Sequence, residues 1–231
     1  RCALQDVMQT FGARTDRATD FHVHVDTTGA TTKQYVNIVK NFVTFEKVMD
    51  SFQPWNHRED RNIWLRSVSA NFEDPIGAHE DLDDCGTDFK CVYLYSQPLT
   101  YFGNRAYKLN MLRKSNNVEF RGHAGTTSSE VVESWVRFTT MFIKGCLDGI
   151  VIDPKISLKP TEEQERALFQ DLVRDKSGRL QAFFSRRQKL VTAIYDSERF
   201  VTLPTLPPRP APLPAAATAA ATATATTTTA A

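Results

Sequence analysis

The chain has 231 residues, 41% of them hydrophobic and 24% charged, which is enough for one sizeable domain and ordinary for a globular protein. Its 28 basic and 27 acidic residues leave a formal net charge of +1, so there is no global electrostatic case for nucleic acid or a membrane surface as the main partner. The longest apolar runs fall far short of a membrane span.

The four cysteines, Cys2, Cys85, Cys91 and Cys146, form no C-x-x-C pair. There is also no N-x-S/T acceptor and no secretory signal, so a reducing, cytoplasmic location is expected. The chain begins with Arg1 rather than Met, and a missing N-terminal segment is expected.

In chain order, the first clear element is DFHVHVD, Asp20 to Asp26. Side chains alternate faces along a strand, so Phe21, Val23 and Val25 share one face and His22, His24 and Asp26 the other. The first face is apolar enough to bury. The second must be wet or hold something charged, because two imidazoles and a carboxylate are costly to bury alone. After Gly29, the run TTKQYVNIVKNFVTFEKVMDSF places Tyr35, Ile38/Val39, Phe42, Phe45/Glu46 and Met49 at helical spacing. Thr31 and Gln34 fit a capping box, and the helix is expected to end near Phe52, before Pro54.

A second polar helical stretch, REDRNIWLRSV, follows. Its Arg58, Arg61 and Arg66 around Trp64 could grip a carboxylate or a phosphate, although a solvated helix face is the commoner use of such arginines. Residues 71–90 read as an acidic, irregular loop. Within it DLDDCGTDF resembles the start of a calcium loop, but Cys85 and Val92 stand where oxygen ligands are needed, which leaves a solvated loop. His57 and His79, in polar surroundings, are expected at the surface.

FKCVYLYSQP and NRAYKLNML predict strands, and Ala106 to Leu112 with Val118 to His123 predict an antiparallel hairpin across RKSNN. TTSSEVVESWVRFTTMFIKGCLDG is the strongest helical pattern, with Thr127 and Glu130 as its capping box. Val131, Trp135, Phe138 and Phe142 form its apolar stripe, with Val132, Val136 and Ile143 beside it, and Gly149 is its stop. A further helix is predicted from Thr161, with Gln164 as box partner and Leu168 and Leu172 facing inward. SGRLQAFFSRRQKL continues as helix, and one short basic run does not make a nucleic-acid site. From Pro204 onward the chain is proline, alanine and threonine with a single charge, Arg209. It has too little apolar side chain to form a core. The expected organisation is one domain over 1–203 and a disordered tail over 204–231. The fold class is α+β, an antiparallel sheet with helices packed on one face.

The same parity argument applies to VEFRGH. Val118 and Phe120 point one way, and Glu119, Arg121 and His123 the other. An isolated E-x-R of this kind is usually a surface ion pair worth less than about 1 kcal/mol. Two such strands in one sheet, polar faces on the same side, would bring His22, His24, Glu119 and Arg121 together. Two imidazoles and a carboxylate can hold a divalent metal, and the arginine can neutralise a phosphoryl group. That is the equipment of phosphoryl transfer.

FHVHVD, a helix with the internal Glu46, YKLNML and VEFRGHAGTTSSEVVESWVRF together resemble the amidoligase family, carboxylate–amine ligases related to glutamine synthetase in their catalytic fold. The matching positions are His22 and His24; Tyr107, Leu109 and Asn110; Glu119, Phe120 and Arg121; and Gly125 with Thr126. The resemblance spans roughly residues 20 to 145. It implies that ATP phosphorylates a substrate carboxylate and that an amine then attacks the acyl phosphate to give an amide. It further implies that His22 and Glu119 help hold a catalytic Mg²⁺, while His24 and Arg121 contact the transferred phosphate. Small-molecule or peptide carboxylates and amines are the implied substrates.

The sequence departs from the family pattern in two places. The superfamily supplies further carboxylates from an early E-x-E strand, whereas Asp6, Asp16 and Asp20 are the only acidic residues ahead of His22. That strand is expected to lie upstream of Arg1. Ala124 also stands where the family often has an acidic residue before G-T. Two other readings follow: a degenerate ligase-fold module that binds a nucleotide or a protein without turnover, and a metal-dependent hydrolase that uses the H-x-H strand. The hydrolase barrel needs eight βα units, typically about 250 residues, and hairpin-like strands do not supply them.

Overall fold

Alternation of apolar and polar residues along three short segments produces a sheet with one dry face. A computed structural model describes residues 10–12, 15, 20–54, 57, 65–96, 107–112 and 116–198. In it, β1 (Asp20–Asp26), β2 (Leu109–Leu112) and β3 (Asn117–Ala124) form an antiparallel sheet of order β1-β3-β2. The pairings Val23↔Phe120↔Leu109 and Val25↔Val118↔Met111 stack into two apolar rows, and His24↔Glu119↔Asn110 forms a polar row between them. The expected hairpin and the expected α+β class are both present.

Helices cover the apolar rows. α1 (Thr32–Ser51) is held at its start by Thr31 and Gln34 as a reciprocal capping box. It is buried almost all round, from Tyr35 to Met49, rather than along a stripe. α4 (Ser129–Leu147) lies beside it, and Phe120 of the sheet meets Phe42 of α1 at 6.2 Å and Trp135 and Phe142 of α4 at 6.4 and 5.9 Å between ring centroids. The far side of α4 carries Phe138 against Phe169 and Phe184. These come from α5 (Thr161–Arg166), which runs on through a π-helical turn at Ala167–Leu172, and from α6 (Arg179–Glu198). Leu168 and Leu172 are buried, as their spacing predicted. Buried Asn41 ties α1 to the chain after α4. Its Nδ2 donates to Ile150 O at 2.8 Å, and its Oδ1 accepts from Ile152 N at 2.9 Å.

Several expectations are corrected. The acidic stretch is not an irregular loop: it contains α2 (Pro75–Asp84), capped by Asp74, whose Oδ1 accepts from Ile76 N and Gly77 N, with Pro75 at the first helical position. Ala78 and Leu82 supply its buried face. FKCVYLYS is a helix, α3 (Phe89–Ser96), and not a strand. Its aromatic composition favours a strand, but Phe89 packs on Tyr35 of α1 and Val92, three residues on, is buried. A Cys85–Cys91 disulfide joins the α2 terminus to α3. α4 is capped by Ser128, not by a Thr127–Glu130 box. α5 starts at Pro160 without a side-chain cap, and the Gln164 amide instead donates to Ser157 O and Lys159 O.

Arg58, Arg61, Trp64 and the tail from Pro204 lie outside the described residues. No helix among the described residues is long and apolar enough to cross a membrane. The antiparallel three-stranded sheet is not the parallel barrel that the hydrolase reading requires.

Candidate functional site

Glu119 lies on β3, the middle strand, so a neighbour from each flanking strand stands directly opposite it. From β2, Asn110 donates its Nδ2 to Glu119 Oε2 at 3.2 Å and to Tyr107 O at 2.7 Å. From β1, His24 brings Nε2 to 3.4 Å from Glu119 Oε1. His22 Nδ1 lies at 3.4 Å from the same oxygen. The Glu119 side chain is only 3% exposed, while those of His22 and His24 are 32% and 45% exposed, so the carboxylate forms the floor of the site and the imidazoles its rim. The Nδ1 of His24 is in turn 3.1 Å from Asn117 Oδ1.

A bulge sets the relation of His22 to Arg121. Phe21 pairs with His123 and Val23 with Phe120, so Arg121 and Gly122 together stand opposite the single residue His22. The extra residue shifts the parity of β3. Arg121 stays on the polar side near His22, but His123, expected beside it, turns to the apolar side. There its ring meets Phe21 at 5.8 Å and Trp135 at 4.8 Å. Burial pushes the His123 pKa down to about 3, with the Arg187 charge adding to the effect. The pKa of His22 is also lowered, by burial first and the Arg121 guanidinium second, with Glu119 and Asp20 opposing. His22 is therefore neutral near pH 7 and can offer a ring lone pair.

Asp26, grouped with the two histidines by parity, is spent on its own turn: Oδ1 accepts from Thr28 N and Oγ1 at 2.9 and 2.7 Å. Asp20 and His57 were not anticipated. His57 is buried, not at the surface, and its Nε2–H donates to Asp20 Oδ1 at 2.9 Å. The other Asp20 oxygen faces His22 Nε2 at 3.8 Å. The signal for Asp20 was available, since it shares the parity of His22 and His24. His57 has no comparable signal, because tertiary packing alone brings it to the sheet. His79 is also buried, against Thr44 Oγ1 and Lys40 O, and is remote in role from the site.

Among the described residues, no group of three or more His, Cys, Asp or Glu is arranged to hold a metal ion. Glu119 and His22 are a two-donor set. A cation held there would have to complete its shell with water and phosphate oxygens, which Mg²⁺ accepts, although it prefers oxygen to the imidazole nitrogen.

The family model described as "Putative amidoligase enzyme" matches residues 3–143, and the chain belongs to that family. The matched span contains all three strands, α1 and most of α4, and with them His22, His24, Asn110, Glu119 and Arg121. Membership supports a ligase-type function. No curated protein and no solved structure matches the chain.

Proposed function

We propose that the protein joins a carboxylate to an amine at the expense of ATP, through an acyl phosphate. The observation that carries this reading is the convergence of His22 and His24 on one buried oxygen of Glu119, within the span matched by the amidoligase family. Glu119 supplies fixed negative charge at the floor, and His22 beside it would hold Mg²⁺ together with that carboxylate. The ion would supply neutralisation of phosphate charge. Arg121, on the same side of β3, can clamp two oxygens of the transferred phosphoryl group with its planar fork, and exposed His24 can donate to a third. Both positions are rigid because they lie on paired strands, so little reorganisation is needed as charge develops on the phosphoryl oxygens. Substrates would be small-molecule or peptide carboxylates and amines. Supply of ATP makes the cytoplasm the compartment of this reading.

The test is calorimetric titration of the 231-residue chain with Mg·ATP. Glu119→Gln keeps the size of the side chain but deletes the charge that a hard cation needs, and is expected to abolish binding. Arg121→Lys, which loses the bidentate fork, is expected to be nearly as harmful. Binding by the wild type that neither change alters overturns the reading. No binding by the wild type favours the module without turnover.

A further inference from the structure

We infer that Asn110 is the positioning residue of Glu119: it occupies one carboxylate oxygen, Oε2, so that a cation meets the other alone, and it thereby favours Mg²⁺ over Ca²⁺ at the site. The orientation of the carboxylate stands on geometry, whereas the choice of cation rests on the ligase reading. Asn110 lies directly opposite Glu119 in the sheet and is fully buried. Its Nδ2 donates twice, to Tyr107 O at 2.7 Å and to Glu119 Oε2 at 3.2 Å. The reverse orientation of the amide would set Oδ1 against those two acceptor oxygens, so the chemistry fixes which way it points. Its Oδ1 is buried without a hydrogen-bond partner. A buried amide oxygen that lacks a donor is a net cost, one that an aliphatic side chain at this position would avoid. Asn110 is therefore placed for its donor, and that donor holds Glu119.

With Oε2 turned to β2, Oε1 faces β1, 3.4 Å from His22 Nδ1 and 3.4 Å from His24 Nε2. Glu119 thus offers the site one oxygen rather than two. The shell of Mg²⁺ is small and nearly octahedral, and the narrow bite of a two-oxygen carboxylate fits it poorly. Ca²⁺, with a larger and more flexible shell, takes a carboxylate by one oxygen or by both. Pinning Oε2 removes the two-oxygen mode and with it an advantage of Ca²⁺. The bond to Tyr107 O alone would make Asn110 a brace for the start of β2. In that merely structural role, loss of Asn110 would leave the Glu119 carboxylate where it is.

Ligand-free crystal structures of the full chain, wild type and variants, read the carboxylate directly. Asn110→Leu keeps the branched shape without a donor. Asn110→Thr is nearly equal in volume, with a hydroxyl too short to reach Oε2. Far-UV circular dichroism establishes folding, and either folded variant suffices. In the wild type Oε2 is expected on Asn110 and Oε1 toward the two imidazoles; any other arrangement there overturns the inference without recourse to a variant. In the variants the carboxylate is expected to turn, or to occupy more than one orientation. The same proteins are titrated calorimetrically with Mg·ATP and with Ca·ATP. Each variant is expected to bind Mg·ATP about 10–100-fold more weakly than the wild type, with a smaller loss for Ca·ATP, so that the preference for Mg²⁺ narrows. An unmoved Glu119 carboxylate in a folded variant overturns the inference, and so does an equal loss for the two complexes. If the wild type binds neither complex, the ligase reading falls instead, and the ligand-free structures decide the role of Asn110.

Discussion

Glu46 and Glu119 are both buried carboxylates, yet their partners give them opposite roles. Glu119 has one oxygen satisfied by Asn110 and the other facing two imidazoles that are partly open to solvent. Glu46, on α1, is closed off. Its Oε1 accepts from Val68 N at 3.0 Å, and its Oε2 accepts from Ser69 N at 2.7 Å and Ser67 Oγ at 3.0 Å. Such charge-assisted bonds to backbone donors are a structural use, and they hold the 3-10 turn at Ser69–Asn71 against α1. Glu46→Gln turns one acceptor into a donor that faces an N–H. It is expected to destabilise the fold by about 1.5–3 kcal/mol, read as a lower urea midpoint with an unchanged slope. Glu119→Gln, with fewer donors to offend, is expected to cost less stability while removing function. The sequence placed Glu119 in the candidate site by parity and marked Glu46 only as a glutamate inside a helix; the backbone donors that close Glu46 off come from tertiary packing and were not legible.

At the scale of elements, a close approach locks α4 to the π-helical turn Ala167–Leu172. A Cβ built on Gly145 would stand 2.3 Å from Leu172 O, so no side chain fits there. Gly145→Ala gains up to about 1 kcal/mol in helix propensity. It must also push two packed backbones apart, at about 1–3 kcal/mol or more. A net loss of stability is expected by urea unfolding; a stabilised variant would mean that the turn yields. The Cys85–Cys91 bridge closes a short loop between α2 and α3. Reducing it is expected to lower stability by about 2 kcal/mol in the chain-entropy account, seen as a lower midpoint with dithiothreitol. An unchanged midpoint would mean that the two thiols stay apart in solution, as a reducing compartment would keep them. Elements with strong periodicity were legible: β1, α1, β3 and α4 lie where their patterns put them, whereas SGRLQAFFSRRQKL, expected to continue the preceding helix, forms the separate α6 after a break at 173–178. The stretch from Pro75 to Ser96 was not legible, although Asp74–Pro75 is a helix-start signal and Phe89, Val92 and Tyr93 have helical spacing. Net acidity in one segment and aromatic content in the other outweighed those local cues.

Across the whole molecule, one residue inserted in β3 separates the chemistry from the core. By strict alternation His123 would face the site with Glu119 and Arg121, but the bulge at Arg121–Gly122 sends it under the sheet against Trp135. The shared polar face of His24 and Glu119 was readable from parity, whereas a bulge leaves no trace in hydrophobic periodicity and the position of His123 was not. The consequence is a buried neutral imidazole whose Nδ1–H donates to Ala124 O at 2.6 Å and whose pKa is down at about 3. Unfolded, the same group titrates near its ordinary value of about 6.5. Between those two values the unfolded chain carries a proton that the folded chain lacks, so stability is full above about pH 6.5 and is lost as pH falls. The slope contributed by His123 alone approaches about 1.4 kcal/mol per pH unit near the middle of that window. His79, also buried with a lowered pKa, adds in the same direction. His123→Phe keeps an aromatic ring against Trp135 and has nothing to titrate. It loses the bond to Ala124 O, so it is expected to be less stable than the wild type at pH 7.5. Its stability is expected to fall less steeply between pH 6 and pH 4.5, and the two curves should converge. Urea unfolding at four or five pH values measures this directly. Parallel curves for the two proteins would show that His123 is protonated within the fold and that the core admits its charge.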